Sequence, residues 1–207
     1  MEWKDSGGGF EDAPVGTHIA RCIKLIDIGT QQNEYQGKVS YPRQVIIAWE
    51  LSNELMTNPE HEGKPFMVSR FYTASLNEKS NLRKDLINWR GCDFTTEELG
   101  GFSPKSILGA TCMLSLTKNE KGNIKVSGVM ALPKGTQVPP QVNKSTYFSL
   151  DFGQYDDALF ESFSDGMKKI IQRSPEWQNI KNPAGHKSEI PTDAASSFDN
   201  FEDDIPF

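Results

Sequence analysis

The sequence predicts a mainly β domain with minor helix, on three observations. Through the first 135 residues the apolar side chains alternate or run in short blocks, the pattern of strands. A helical period enters that stretch clearly only once, after residue 80. Polar segments bearing glycine or proline separate the apolar blocks. A chain of 207 residues has room for one domain with appendages, and 36% hydrophobic residues give it one modest core.

Residues 1–15, with Gly7, Gly8, Gly9 and Pro14, read as an N-terminal arm. From Thr17 to Ile28 one parity holds Ile19, Ile23 and Leu25, and the other Ala20, Cys22, Ile26 and Ile28. A long strand buried partly on both faces is predicted there. Residues 29–42 form a polar loop. A second strand runs from Arg43 to about Leu51 with Val45, Ile47, Trp49 and Leu51 alternating, and Trp49 is assigned to the core. After the loop at 52–65, a third strand spans Phe66–Thr73, with Val68, Arg70 and Tyr72 on one face.

The period then changes. Ser80 is a good N-cap, and Leu82, Leu86 and Trp89 follow at helical spacing until Gly91, with Trp89 turned to the core. Thr95 with Glu98 has the form of a capping box for a further turn. Two more strands, about Ser106–Thr117 and Ile124–Leu132, flank a hairpin turn at Asn119–Asn123 that places Gly122 where positive φ is needed. Pro133, Pro139 and Pro140 mark an extended exit. Leu159, Phe163, Met167, Ile170 and Ile171 predict one or two short helices, and Ser174-Pro175-Glu176 starts another. No periodicity remains beyond Pro183.

Five strands with a helix between the third and fourth is the element order of an OB-fold, a five-stranded Greek-key barrel that binds oligonucleotides. The predicted organisation is therefore an arm at 1–15, the barrel at 16–135, a helical extension packed on it at 136–182, and a disordered acidic tail at 183–207.

Several function classes find no support. No apolar run reaches the ~20 residues of a membrane span, and the opening residues have no signal-like apolar stretch, so a cytoplasmic protein is expected. Three cysteines without a C-x-x-C pair, and three scattered histidines, predict neither a disulfide framework nor a metal site. A phosphate-cradling loop and a nucleophile motif are both missing. The expectation is a protein that is not an enzyme and uses no cofactor.

The net charge of -6 is unevenly spread. Residues 189–207 hold six acids and no base, whereas residues 16–135 hold 15 bases against 12 acids. Such asymmetry suits a nucleic-acid surface with an interaction tail, and equally a neutral domain with a solubilising tail. The tail itself is more specific. Asp199 is followed by Phe201, Glu202, Asp203, Asp204, Ile205, Pro206 and Phe207. Its acids suit a basic rim on a partner, and Ile205 and Phe207 are anchors worth ~1.5 to 3 kcal/mol each if buried.

This run resembles the acidic tip of bacterial single-stranded DNA-binding proteins. The body is more similar to the single-stranded DNA-binding proteins of tailed phages, on the stretch from Phe71-Tyr72-Thr73 through Ser80 to Trp89-Arg90-Gly91 and on the hairpin from Gly109 to Leu132. The bacterial Gly/Gln-rich linker is absent. The resemblance implies coating of single-stranded DNA and recruitment of phage or host replication, recombination and repair proteins by the tip. The missing linker argues against the bacterial tetramer, so a monomer or weak dimer is expected, in the host bacterial cytoplasm if the protein is phage-encoded.

Sequence-neutral binding needs cations for the phosphates and aromatic planes for the bases. In an OB-fold these lie on strands 2 and 3 and on the loops joining strands 1–2 and 4–5. The candidates are Tyr35, Lys38, Tyr41 and Arg43 in and after the first loop, and Arg70 and Tyr72 on the third strand. Lys24, Lys118, Lys121 and Lys125 are further phosphate contacts. For Tyr35 and Tyr41 the competing role is loop packing, and for Tyr72 it is the core. The rival reading of the whole is a DNA-mimic or adaptor, whose tail binds a replication enzyme while the body binds no nucleic acid.

Overall fold

The computed structural model describes residues 11–183. In chain order the elements are β1 (Gly16–Thr30), β2 (Asn33–Tyr35), β3 (Lys38–Ser40), β4 (Arg43–Leu55), β5 (Pro65–Thr73), α1 (Asn81–Arg90), α2 (Thr96–Gly101), β6 (Thr111–Lys118), β7 (Ile124–Met130), β8 (Thr146–Phe148), α3 (Asp157–Glu161), α4 (Asp165–Gln172) and α5 (Pro175–Lys181). The fold is mainly β: a six-stranded, largely antiparallel sheet in the order β5-β4-β1-β6-β7, with β8 parallel to β1, beside the small β2–β3 hairpin.

β1 organises this sheet. On one side it pairs with β4 from Thr30↔Arg43 to Ala20↔Leu51. On the other it pairs first with β6, over Gly16–Arg21, and then with β8, over Lys24–Ile26. Between the two partners its register against β4 slips at Cys22/Lys24. One extra residue in a strand swaps which parity faces inward. Ala20 and Cys22 therefore line the same core as Leu25, whereas Ile26 and Ile28 belong to a second apolar cluster on the opposite face.

The larger cluster is walled by β1, β4, β5, β6 and β7 and roofed by α1. Trp49 is fully buried in it, 6.1 Å from the ring of Trp89, whose indole N–H donates to the Thr111 carbonyl at 2.8 Å. α1 forms where Ser80 caps the Arg83 N–H, and it stops at Gly91, which takes the left-handed conformation at φ 73°. The Thr95–Glu98 capping box is complete, with both reciprocal bonds present.

The predicted five-stranded barrel is corrected to a six-stranded sheet that does not close. Edge strands β5 and β7 approach within 8 Å between Cα atoms but share no ladder. The backbone N–H that follows β7, at Ala131, donates to Asn88 of α1 at 3.0 Å, so the helix takes up that donor at the gap. The strand predicted from Ser106 also starts later. Pro104–Ile107 is a turn of 3-10 helix, as proline at a first helical position favours, and β6 begins at Thr111.

The second cluster lies between the other face of β1–β4 and the C-terminal helices. Ile26, Ile28 and Ile46 pack there with Phe148, Leu150, Phe160, Met167 and Ile171. Among the described residues no helix is long and apolar enough to cross a membrane.

Candidate nucleic-acid interface

The loop after β1 is built rather than irregular. β2 and β3 pair from Asn33↔Ser40 to Tyr35↔Lys38 around Gln36 (φ 50°) and Gly37 (φ 75°). Positive φ at both central residues is the type I′ geometry that matches strand twist. The hairpin leaves Lys38 and Val39 exposed, and Tyr41 follows it with about half its surface in solvent. Tyr35 enters the site through the backbone, as the partner of Lys38.

Arg43, expected as a phosphate contact, is held in an ion-pair cluster at the foot of the hairpin. It donates to both carboxylate oxygens of buried Asp27 and, at 2.7 Å, to Asp151. Those hydrogen bonds, that to Asp27 first, push its guanidinium pKa further up. Asp27 also accepts from the backbone N–H of Gly29 and of Leu150, so one carboxylate ties β1, β4 and the C-terminal segment together.

Arg70 and Tyr72 do sit side by side, the guanidinium 5.0 Å from the ring centroid, but on the inward face. Arg70 donates to Asp85 of α1 at 2.8 Å and the Tyr72 hydroxyl donates to the same oxygen at 2.8 Å. Only 2% of Tyr72 is exposed, and burial pushes its phenol well above the ordinary range. A buried ring has no face for a base, so Tyr72 leaves the candidate site. Lys24 is half-buried beside β8, and desolvation lowers its ammonium pKa.

Lys118, Lys121 and Lys125 are all exposed around the β6–β7 turn. Gly122 there has φ 88°, and the Asn119 carboxamide oxygen accepts from the Lys121 and Asn123 N–H groups. The register places this turn beside Gly16, while the β2–β3 hairpin joins Thr30. The two loops thus stand at opposite ends of β1.

The outward face of β4 between them is covered. Ala48 is 2% exposed, and the buried carboxylate of Glu50 accepts from the Val142 and Asn143 N–H groups and the Asn143 side chain. Arg21, paired across the strands with Glu50, donates to the Pro139 carbonyl at 3.1 Å. The proline-rich exit from the sheet is therefore strapped across β1 and β4. Outward residues of β5, Met67, Ser69 and Phe71, stay half-exposed.

Three positions lay beyond sequence reasoning. Asp27 and Asp85 neutralise predicted cations, and their only signal was a carboxylate inside an apolar strand or helix. Phe152 stands fully exposed in the turn after β8, its signal an aromatic beside Gly153 in a polar stretch. Among the described residues no group of His, Cys, Asp and Glu side chains is placed to hold a metal ion. Cys22 and Cys112 are buried free thiols, the former pushed up to about 12 by desolvation, while free Cys92 is exposed. The predicted partner-binding residues Asp199, Phe201, Glu202, Asp203, Asp204, Ile205, Pro206 and Phe207 lie outside the described residues.

The chain matches no family model and no curated protein.

Proposed function

We propose that the protein is a non-enzymatic single-stranded DNA-binding protein built on an open OB-type sheet. It coats exposed strands as a monomer or weak dimer and recruits replication, recombination and repair proteins through its acidic tail. The observation that carries the reading is topological. Without the hairpin and β8, the order β5-β4-β1-β6-β7, with α1 between β5 and β6 in sequence and packed against both edge strands, is compatible with an OB arrangement of strands 3-2-1-4-5. Exposed cations at both predicted loops, Lys38 on one and Lys118, Lys121 and Lys125 on the other, support it. The covered middle of β4 directs the strand along β5 and the hairpin rather than across the sheet centre.

One observation favours the adaptor reading. Arg43, Arg70, Arg83 and Arg90 each bond a carboxylate, so much of the basic charge in the middle of the chain is already matched. A titration of labelled oligo-dT with the full chain and with a 1–188 truncation separates the two. Salt-sensitive binding, equal or tighter in the truncation, is expected, with log affinity falling linearly against log salt. No binding by either form would overturn the coating function and leave the adaptor.

A further inference from the structure

We propose that Phe152, which follows Asp151 of the Arg43–Asp151 ion pair, forms a platform on which an unpaired nucleobase stacks; this rests on the single-strand reading above. Exposure alone would not make the case, since scattered apolar side chains are normal on a surface. Here the exposed ring is displayed by a braced turn. The Leu150 N–H donates to buried Asp27, the Asp151 N–H to the Ser149 hydroxyl, and the Gln154 N–H back to the Asp151 carbonyl. Arg43 holds the Asp151 carboxylate at 2.7 Å, and Gly153 turns the chain at φ 76°. The residue before the ion pair, Leu150, is core, and the residue after it is wholly in solvent.

The backbone that displays the ring is already ordered in this way, so stacking costs only the freedom of the ring itself. Tyr41, half-exposed, lies two residues before the same Arg43, so each partner of this ion pair has an exposed aromatic close to it in the chain. Local charge selects the part of the nucleotide. One guanidinium faces two carboxylates, Asp27 and Asp151, leaving the spot slightly negative. A phosphate is disfavoured there and a neutral base is not. Lys38, on the neighbouring hairpin, is placed to take the backbone.

The test is oligo-dT binding by full-length wild type, Phe152→Ala, Phe152→Trp and Lys38→Ala over a range of salt. Loss of one stacked base weakens binding by about 5- to 150-fold. Phe152→Ala should lose that much while keeping the wild-type salt slope, because no phosphate contact is removed. Phe152→Trp should restore affinity, with its added indole emission quenched by DNA, and Lys38→Ala should flatten the slope. Wild-type affinity in Phe152→Ala, or a changed salt slope, would overturn the platform and leave the coating function standing. Wild-type protein that ignores oligo-dT would overturn both.

Discussion

Gly29 is the residue on which the two halves of the chain meet. It has φ 73°, and a Cβ built there would lie 2.4 Å from the Cβ of Ser174 and 2.7 Å from a carboxylate oxygen of Glu176. That carboxylate accepts from the Thr30 N–H at 2.8 Å and the Thr30 hydroxyl at 2.6 Å. Gly29→Ala therefore combines left-handed strain with displacement of the cap of α5. The expected loss is about 2 to 4 kcal/mol in urea unfolding; an unchanged midpoint would mean that α5 does not press on this turn. Glycine in a polar loop was legible from the sequence, but its neighbour 145 positions later was not. The same limit explains Tyr72. Alternation correctly joined it to Arg70, yet parity does not say which face is inside, and Asp85 reaches both only because α1 lies over that face.

At the level of elements, start and stop chemistry was the most readable signal. Ser80, Thr95 with Glu98, and Ser174 with Pro175 all cap helices through backbone N–H groups, because a cap is a local bond between residues three apart. Short strands were hidden. β8 has three residues and too few to show a period, and the β2–β3 hairpin turns on Gln36-Gly37, without the Asn-Gly or Asp-Gly pair that advertises such a turn. The C-terminal helices gave an apolar set but no address. Their address is the outer face of β1–β4, where Ile26, Ile28 and Ile46 would otherwise meet water. Deleting residues 156–183 should thus yield a protein that binds a hydrophobic dye and elutes as aggregates in size exclusion. A monodisperse, dye-negative deletion would show that this layer is dispensable.

Across the whole molecule, surface carboxylates set the acid limit. Glu11 and Asp93 are held below their ordinary pKa first by the backbone N–H groups of Thr57 and Phe94, and Glu98 by that of Thr95. Asp157 is lowered first by the Lys181 ammonium. A carboxylate whose folded pKa is depressed adds stability above its unfolded value and loses it as pH falls through the folded one. The urea midpoint should then be flat near neutrality and fall below about pH 4.5, where the unfolded carboxylates begin to take up protons. A midpoint that holds steady down to pH 3 would argue that these bonds are absent in solution. The overall class was readable from the sequence because strand period and element order are properties of the chain. Where the outward face was covered was not, since that depends on contacts between residues more than 90 positions apart, such as Glu50 with Val142 and Asn143.

The change of partner along β1 also bears on how the protein is made. When a ribosome has released the first 130 residues, β1 can already hold β4 and β6, but the edge at Lys24–Ile26 is still waiting for Thr146–Phe148. Ile26, Ile28 and Ile46 stay bare for the same interval. Open edges and uncovered apolar faces are what nascent chains aggregate through. The last third of the translated body is thus the shield for the first, and synthesis must run past residue 171 before the domain can close over its own sheet.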